Sequence, residues 1–162
     1  MLVKVAHFVS IMLYVLVAGV MWGTWLSLAR TMTEYEAATF LDDGKHMINN
    51  LGTVMAVLMI AAVAIGLVTV LVLYRHRSRV AGRLALAALA LMLGVMALTL
   101  AVEVPIDKQI MTWTLGTLPA DWTDIRARWA TFHTLRTFLS LASVAAAVAA
   151  ALAPMTGTGD PD

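Results

Sequence analysis

Four long apolar segments alternate with polar connections along the 162 residues of this chain. They cover residues 5–29, 51–74, 80–104 and 131–152, and only small or mildly polar residues interrupt most of their length. A bilayer is crossed by about 20 apolar residues in a helix, so each segment is long enough to span one. The pattern therefore predicts four membrane-spanning helices.

The first segment, 5–29, has a competing interpretation as a signal peptide. A signal peptide has an apolar core of roughly 7–15 residues followed by a small-residue cleavage site. Segment 5–29 is longer and shows no such site, so we expect a retained helix. Trp22 and Trp25 near its end fit an interfacial aromatic belt.

The two long connections are predicted to contain amphipathic helical segments outside the membrane. In the first, Thr33 to Glu36 forms a capping-box pattern for a short helix that Gly44 would end. In the second, Pro105 is expected to close the third helix. Asp121 then caps a helix that continues into the fourth span, giving a helix at about 121–153.

The predicted fold class is all-α, an integral membrane four-helix bundle with its core helices at about 5–29, 51–74, 80–104 and 121–153. Residues 1–153 are expected to form a single domain. The polar, Gly- and Pro-containing tail 154–162 is expected to be disordered.

Composition supports the membrane assignment and excludes several functions. Hydrophobic residues make up 61% of the chain and charged residues 13%, whereas soluble domains are about half apolar and about a quarter charged. The lipid bilayer is therefore the main expected partner. A net charge of +1 gives no basic field for nucleic acid. With 0 cysteines, disulfide and dithiol chemistry are excluded, so a redox role would need a cofactor, a metal or a reactive substrate.

Loop charges predict the orientation in the membrane. Four arginines lie between Arg75 and Arg83, in the shortest connection, and an excess of Lys and Arg in a short loop is typical of the cytoplasmic side. We therefore expect a bacterial inner-membrane protein with both termini in the cytoplasm. The two long connections would then share the opposite face.

Polar side chains from four helices are predicted to converge at that face. The fourth segment carries a helical stripe that begins at His133 and Arg136, and the third ends in Thr99, Glu103 and Asp107. The first segment ends with Trp22 and Trp25. The second begins with a polar stripe that consists of His46, Asn49, Asn50 and Thr53. Ionisable residues in membrane helices are usually shielded, paired or functional, which predicts a buried pocket here.

Three hypotheses describe this pocket. In the first, Glu103 or Asp107 neutralises Arg136 or Arg128, His133 is satisfied in the same network, and the cluster only fixes helix packing. In the second, His46, Glu103 and His133 bind a transition metal such as iron, copper or zinc.

The third hypothesis is metal-free acid–base catalysis on a lipophilic substrate. His133 would accept a proton, with Glu103 or Asp107 tuning its proton affinity, and Arg136 would hold a phenolate or enolate oxygen. Candidate substrate-binding residues are Asn49 and four tryptophans, Trp22, Trp25, Trp113 and Trp129. For Trp113, a place in an interfacial aromatic belt is the alternative.

Other residues are interpreted as structural. We expect His7 and His76 at the surface, and the 11 methionines as flexible core packing. The alanine-rich stretches 84–94 and 142–153 suit close helix packing, and the same spacing could serve homo-oligomer formation.

One part of the chain resembles a known family. The DUF1772 family of small four-helix membrane proteins, also called anthrone oxygenase-like, is similar over the third connection and the start of the fourth helix, in the runs Glu103 to Ile110, Trp113-Thr114, Leu118 to Trp122, Ile125-Arg126, Arg128-Trp129 and Phe132 to Thr137. The resemblance implies a four-helix bundle and, from a few characterised relatives, oxidation of anthrones to anthraquinones by molecular oxygen.

The leading functional hypothesis is therefore an oxidoreductase or oxygenase that acts on a lipophilic aromatic or quinone-like molecule, with either a transition metal or no cofactor. An anthrone is an easily deprotonated aromatic ketone, so a base and an oxyanion holder could suffice. The alternative is a non-enzymatic membrane subunit that binds a lipid, a small molecule or a partner helix.

Overall fold

A computed structural model describes residues 1–75 and 79–154. Within these ranges it contains four helices that are long and apolar enough to cross a membrane, and no strand, which confirms the predicted all-α membrane bundle. The α-helices are α1 Leu2–Thr24, α2 Ala37–Arg75, α3 Arg79–Leu98, α4 Val104–Thr112 and α5 Trp122–Leu152. A π-helical turn, Trp25–Ala29, continues α1, and a second, Thr99–Glu103, joins α3 to α4.

The four long helices pack in a ring. Helix α1 lies against α2 and α5, and α3 lies against the same two helices. Small residues bring the backbones together: the Tyr14 hydroxyl lies against Gly66, and Ser143 Oγ donates to the Ala88 carbonyl at 2.8 Å. Such close approach between helices is typical of membrane bundles.

Helix α2 is longer than the sequence pattern indicates. It begins at Ala37 and passes through Gly44 without a break, so the prediction that a short helix ends at Gly44 is wrong. Of the capping-box pattern, Thr33 and Glu34 lie in a short 3-10 turn, Met32–Glu34, and Tyr35 and Glu36 lie between that turn and α2. An interior glycine costs a helix about 1 kcal/mol. Burial of Phe40 and Leu41 in the preceding turn offsets this cost.

The third helix is also extended. Pro105 does not end it, contrary to the prediction, because the π-helical turn Thr99–Glu103 restarts the helix and places Pro105 in the first turn of α4. Proline fits that position since its missing N–H would have no intrahelical partner there. The helix therefore reaches Thr112 and carries Asp107 over the bundle.

A hydrophobic layer, which we name the cap, covers one end of the bundle. It is made of Ala29, Met32, Phe40, Leu41, Val102, Ile106, Ile110, Trp113 and Trp129. Arg126 donates hydrogen bonds to the carbonyls of Tyr35 at 2.7 Å and Thr33 at 2.8 Å, and Lys45 Nζ donates to the Trp113 carbonyl. These bonds fasten both long connections and the start of α2 to one another.

His7 is not at the surface, contrary to the prediction. It is buried near the opposite end of the bundle, beside a cavity of about 10 Å³ that Ser10, Tyr14 and Thr69 also line. The close approach of α1 to α2 at Gly66 encloses this position. The part of the basic loop at 76–78, including His76, and tail residues 155–162 lie outside the described residues.

Candidate functional site

A cavity of about 250 Å³ lies beneath the cap, between α1, α2, α5 and the segment from α3 to α4. Its wall is largely apolar and includes five methionines, Met21, Met47, Met55, Met59 and Met96. Polar residues also line it, among them Thr99, Asp107, His133 and Arg136. The volume is close to the lower end of small-molecule pockets, about 300 Å³.

Local helix geometry places these polar groups. Trp129, His133 and Arg136 follow at i, i+4 and i+7 on one face of α5, and all three line the cavity. On the other side, the π-helical turn Thr99–Glu103 directs Glu103 into the bundle interior, where it is 0% exposed. Single π-helical turns are frequent at functional sites.

Both ring nitrogens of His133 are engaged. Nε2–H donates to the Met21 carbonyl at 3.2 Å, and Nδ1 accepts from Arg136 Nη2 at 2.9 Å. A neutral imidazole has one donor and one acceptor, so these partners define its tautomer. The ring also stacks on Trp129, with centroids 4.7 Å apart and planes inclined by 5°. His133 is therefore held rigidly between α1 and the rest of α5.

Arg136 forms the centre of the network. Its Nη1 donates to Thr99 Oγ1 at 3.1 Å, and its Nη2 lies 2.9 Å from Glu103 Oε2. That approach is an ion pair without hydrogen-bond geometry, so neither Glu103 oxygen has a hydrogen-bond donor among the described residues. Glu103 does not line the cavity and balances the Arg136 charge from behind it.

Asp107 is the carboxylate that reaches the cavity. Its Oδ1 accepts from Trp129 Nε1 at 3.0 Å, which fixes the orientation of the group. Within residues 1–75 and 79–154, no donor forms a hydrogen bond with Oδ2. Asp107 is only partly buried and lines the cavity together with Arg136. A free carboxylate oxygen and a guanidinium therefore border the same space.

Only one of the predicted substrate-binding residues, Trp129, lines the cavity. Trp22 and Trp25 stack on each other at 5.0 Å and pack against Phe138 on the side of the bundle. Trp25 Nε1 also donates to Thr134 Oγ1 at 3.1 Å. Trp113 is buried in the cap, and Asn49 is exposed.

The predicted metal triple of His46, Glu103 and His133 is not assembled. Among the described residues, no three His, Cys, Asp or Glu side chains are placed to hold a metal ion. His46 is 74% exposed, with Nδ1 at 2.9 Å from the Asp42 carbonyl oxygen. Its helical stripe turns outwards, since Asn49, Asn50 and Thr53 are exposed as well. The donor set therefore does not fit a metal site.

The cavity-lining face of α2 was not predicted. It consists of apolar residues at helical spacing, namely Met47, Ile48, Leu51, Gly52, Met55, Ala56, Met59 and Ile60. Their i, i+4 repeat was visible in the sequence but is the same as that of ordinary core packing. Five of the methionines, interpreted as core packing, also line the cavity and give it a flexible and polarisable wall.

Fold and site together define a small all-α membrane protein in which a carboxylate and a guanidinium line the polar end of a largely apolar cavity. The family model described as "Anthrone oxygenase" matches residues 45–146, more than half of the chain. The protein therefore belongs to this family, which confirms the resemblance found in the sequence. The matched region contains Glu103, Asp107, Trp129, His133 and Arg136 but not α1. Neither curated proteins nor solved structures gave a match.

Proposed function

We propose that this protein oxidises a lipophilic aromatic ketone of the anthrone type with molecular oxygen, in the cavity beneath the cap. The observation that carries the proposal is that Asp107 and Arg136 both line the polar end of a largely apolar cavity. A base beside a fixed cation suits a substrate that must lose a C–H proton and place the charge on oxygen. Membership of the anthrone oxygenase family supports the same chemistry.

Asp107 acts as the proton acceptor. Its Oδ2 has no donor among the described residues, whereas Nδ1 of His133 is occupied by Arg136. Asp107 therefore takes the role that the sequence suggested for His133. Deprotonation of the CH₂ group that lies para to the ketone in the central ring gives an enolate whose charge rests on the ketone oxygen.

Arg136 stabilises that oxygen. A guanidinium has five N–H donors, and two of them form the hydrogen bonds to Thr99 and His133. Of the other three, Nε–H is buried and Nη2 also contacts Glu103, which leaves the second N–H of Nη1 for an enolate oxygen. His133 and Glu103 are positioning residues, since each holds Arg136 without a free group of its own towards the cavity.

The overall reaction balances without a protein-derived electron. The enolate carbon is oxidised by O₂, which takes four electrons as the CH₂ group becomes a second ketone. One oxygen atom enters the product and the other leaves as water, together with the two hydrogens of the CH₂ group. Asp107 carries the first of these protons and is regenerated when it is released.

A second candidate function is a non-enzymatic membrane subunit that binds a lipophilic molecule or a partner helix. It is favoured by the closure of the Glu103, Arg136 and His133 network on itself, as the purely structural hypothesis expects. We further propose a bacterial inner-membrane location with both termini in the cytoplasm, and the small-residue surfaces of α3 and α5 as contacts for homo-oligomers.

Oxygen uptake tests the proposal. Detergent-purified protein, dialysed against a chelator, is supplied with anthrone, and O₂ consumption is compared with anthraquinone formation. We expect substrate-dependent uptake with equal amounts of O₂ used and quinone formed, above the rate without protein. Binding of anthrone without any increase in that rate would favour the second function. A rate that disappears on chelation and returns with one metal ion would contradict the metal-free mechanism.

A further inference from the structure

The cavity beneath the cap is closed towards the near end of the bundle. Phe40 and Trp113 lie above it in the cap and are almost fully buried. The hydrogen bonds of Lys45 to Trp113 and of Arg126 to Tyr35 join the segments that form this cover. A molecule coming from the aqueous side would therefore have to displace packed aromatic side chains.

The side of the cavity, in contrast, is open between α2 and the π-helical turn after α3. Ile60 on α2 and Leu100 in the turn both line the cavity, yet they are 64% and 62% exposed. Gly52 and Ala56 also line it from exposed positions on α2. Residues that border a cavity and the outside at the same time mark its mouth.

This mouth lies in the apolar part of the bundle. No charged residue occurs between Lys45 and Arg75 on α2, or between Arg83 and Glu103 on the opposite side. Side chains of this kind face the hydrocarbon of a bilayer rather than water. The opening is therefore directed sideways into the membrane.

Helices α2 and α3 come together again further along the bundle. Val70 and Leu73 of α2 pack with Ala81, Ala85 and Leu89 of α3 in one buried cluster. The gap is thus a wedge confined to the half of the bundle that carries the cap. Gly52 and Ala56, four residues apart, have small side chains and so leave space on the α2 side of the gap. Among the described residues, a Cβ added to Gly52 would have no neighbouring atom within 4 Å.

We propose that this gap is a lateral portal through which a flat, mostly apolar ring compound with one oxygen function passes from the bilayer to Asp107 and Arg136. The chemistry of this ligand rests on the proposed function, whereas the portal rests on the shape of the cavity. A cavity of about 250 Å³ is too small for a whole phospholipid. A plain hydrocarbon chain in the cavity would give Asp107 and Arg136, at the inner end of the cavity, no polar partner.

Cysteine labelling tests the portal directly, because the chain has 0 cysteines and a single introduced thiol gives the whole signal. Met55→Cys places that thiol on the cavity wall. In proteoliposomes it is treated with a lipophilic aromatic maleimide or with a charged, membrane-impermeant maleimide. We expect the lipophilic reagent to label it and the charged reagent to label it at least about tenfold more slowly, since close-packed side chains leave no aqueous path.

A blocking variant and a matched control complete the test. Ala56→Trp fills the mouth, whereas Val57→Trp adds the same bulk at an exposed residue that does not line the cavity. We expect the first to slow lipophilic labelling about tenfold, because a packed indole leaves no gap, and the second to change it little. Folding of each variant is judged by its elution as a single species. Gly52→Trp serves as a second block if Ala56→Trp does not fold by this criterion.

Three outcomes would overturn the portal. The first is equal labelling by the charged reagent, and the second is unchanged labelling in both blocking variants. The third is slow labelling by both reagents in the unblocked protein, as a second copy of the chain seated over the mouth would give. Because labelling needs no turnover, a portal that behaves as expected in a protein without oxygen uptake would contradict the proposed function alone.

Discussion

Two carboxylates of the site, Glu103 and Asp107, lie one helical turn apart and have opposite surroundings. Glu103 is 0% exposed and contacts the Arg136 guanidinium, whereas Asp107 borders the cavity and is held by Trp129. Their substitution by the matching amides should therefore affect different properties. Glu103 is expected to control stability, and Asp107 is expected to control turnover.

Glu103→Gln should destabilise the fold. The amide keeps the shape but leaves the Arg136 charge buried without its counterion, and removal of one partner of a buried ion pair costs about 3–5 kcal/mol. Thermal unfolding in detergent should show a clearly lower midpoint than wild type. Glu36→Gln is the control, because Glu36 is exposed and should leave the midpoint unchanged. An unchanged midpoint for Glu103→Gln would contradict a stabilising pair.

Arg136→Lys separates charge from geometry at the same centre. Lysine keeps the positive charge beside Glu103 but cannot place donors on both Thr99 and His133 in the planar arrangement of a guanidinium. We expect anthrone turnover to fall by about 10²-fold, as on loss of an oriented oxyanion donor, with KM changing much less. Arg128→Lys, at an exposed position on the same helix, provides the comparison. Equal turnover in both variants would remove Arg136 from the mechanism.

At the scale of helices, the contact between α1 and α2 depends on a missing side chain. The Tyr14 hydroxyl occupies the place of a Cβ at Gly66, and Leu89 Cδ1 would lie 3.2 Å from that Cβ. Gly66→Ala should therefore lower the thermal midpoint, since overpacking costs about 1–3 kcal/mol. Gly94→Ala meets no atom of the described residues within 4 Å and should leave the midpoint unchanged or raise it. The reverse order would contradict the packing of α1 on α2.

Helix periodicity explains what could be predicted from sequence and what could not. The stripe on α5 was found because polar residues are rare in an apolar helix, and His133 and Arg136 do line the cavity. An equally regular stripe at His46 and Asn49 faces outwards, because periodicity shows that residues share a face but not which face packs inside.

The helix ends and the hydrogen-bonding role of His133 could not be predicted from the sequence, for different reasons. Gly44 has an intrinsic preference that tertiary packing overrides, so α2 runs past it, whereas Pro105 is accommodated in the first turn of α4 after the π-helical turn. The exchange of roles that we propose between His133 and Asp107 depends on hydrogen bonds between helices: His133 donates one to the Met21 carbonyl, and Asp107 accepts one from Trp129. No local pattern in the chain encodes those partners.

At the scale of the whole molecule, the proposed orientation predicts which end of the bundle faces the outside of the cell. Leu115, 65% exposed, lies between α4 and α5 at the capped end, and the exposed Lys4 lies near the start of α1 at the other end. In intact cells of a bacterial host, an impermeant maleimide should label Leu115→Cys, and it should label Lys4→Cys only after permeabilisation. The opposite result would place the cap on the cytoplasmic side and overturn the orientation drawn from the arginine loop.

The whole molecule also combines an apolar cavity with a cover, and Asp107 and Arg136 line that cavity. In the proposed function, this arrangement would separate the reaction from water while leaving it accessible from the membrane. Oxygen and aromatic ketones both dissolve in the hydrocarbon of a bilayer, so both reactants would be available at the mouth. Catalysis would then depend on Asp107 being the group that starts the reaction.

The most direct measurement is the rate of anthrone-dependent oxygen uptake by Asp107→Asn compared with Asp124→Asn. Each variant removes one carboxylate, from α4 at Asp107 and from α5 at Asp124. Asp124, however, is exposed and does not line the cavity. We expect Asp107→Asn to fold normally and to lose about 10²- to 10⁴-fold in rate, the usual contribution of a general base, while Asp124→Asn keeps the wild-type rate. A folded Asp107→Asn variant with wild-type uptake would contradict the account.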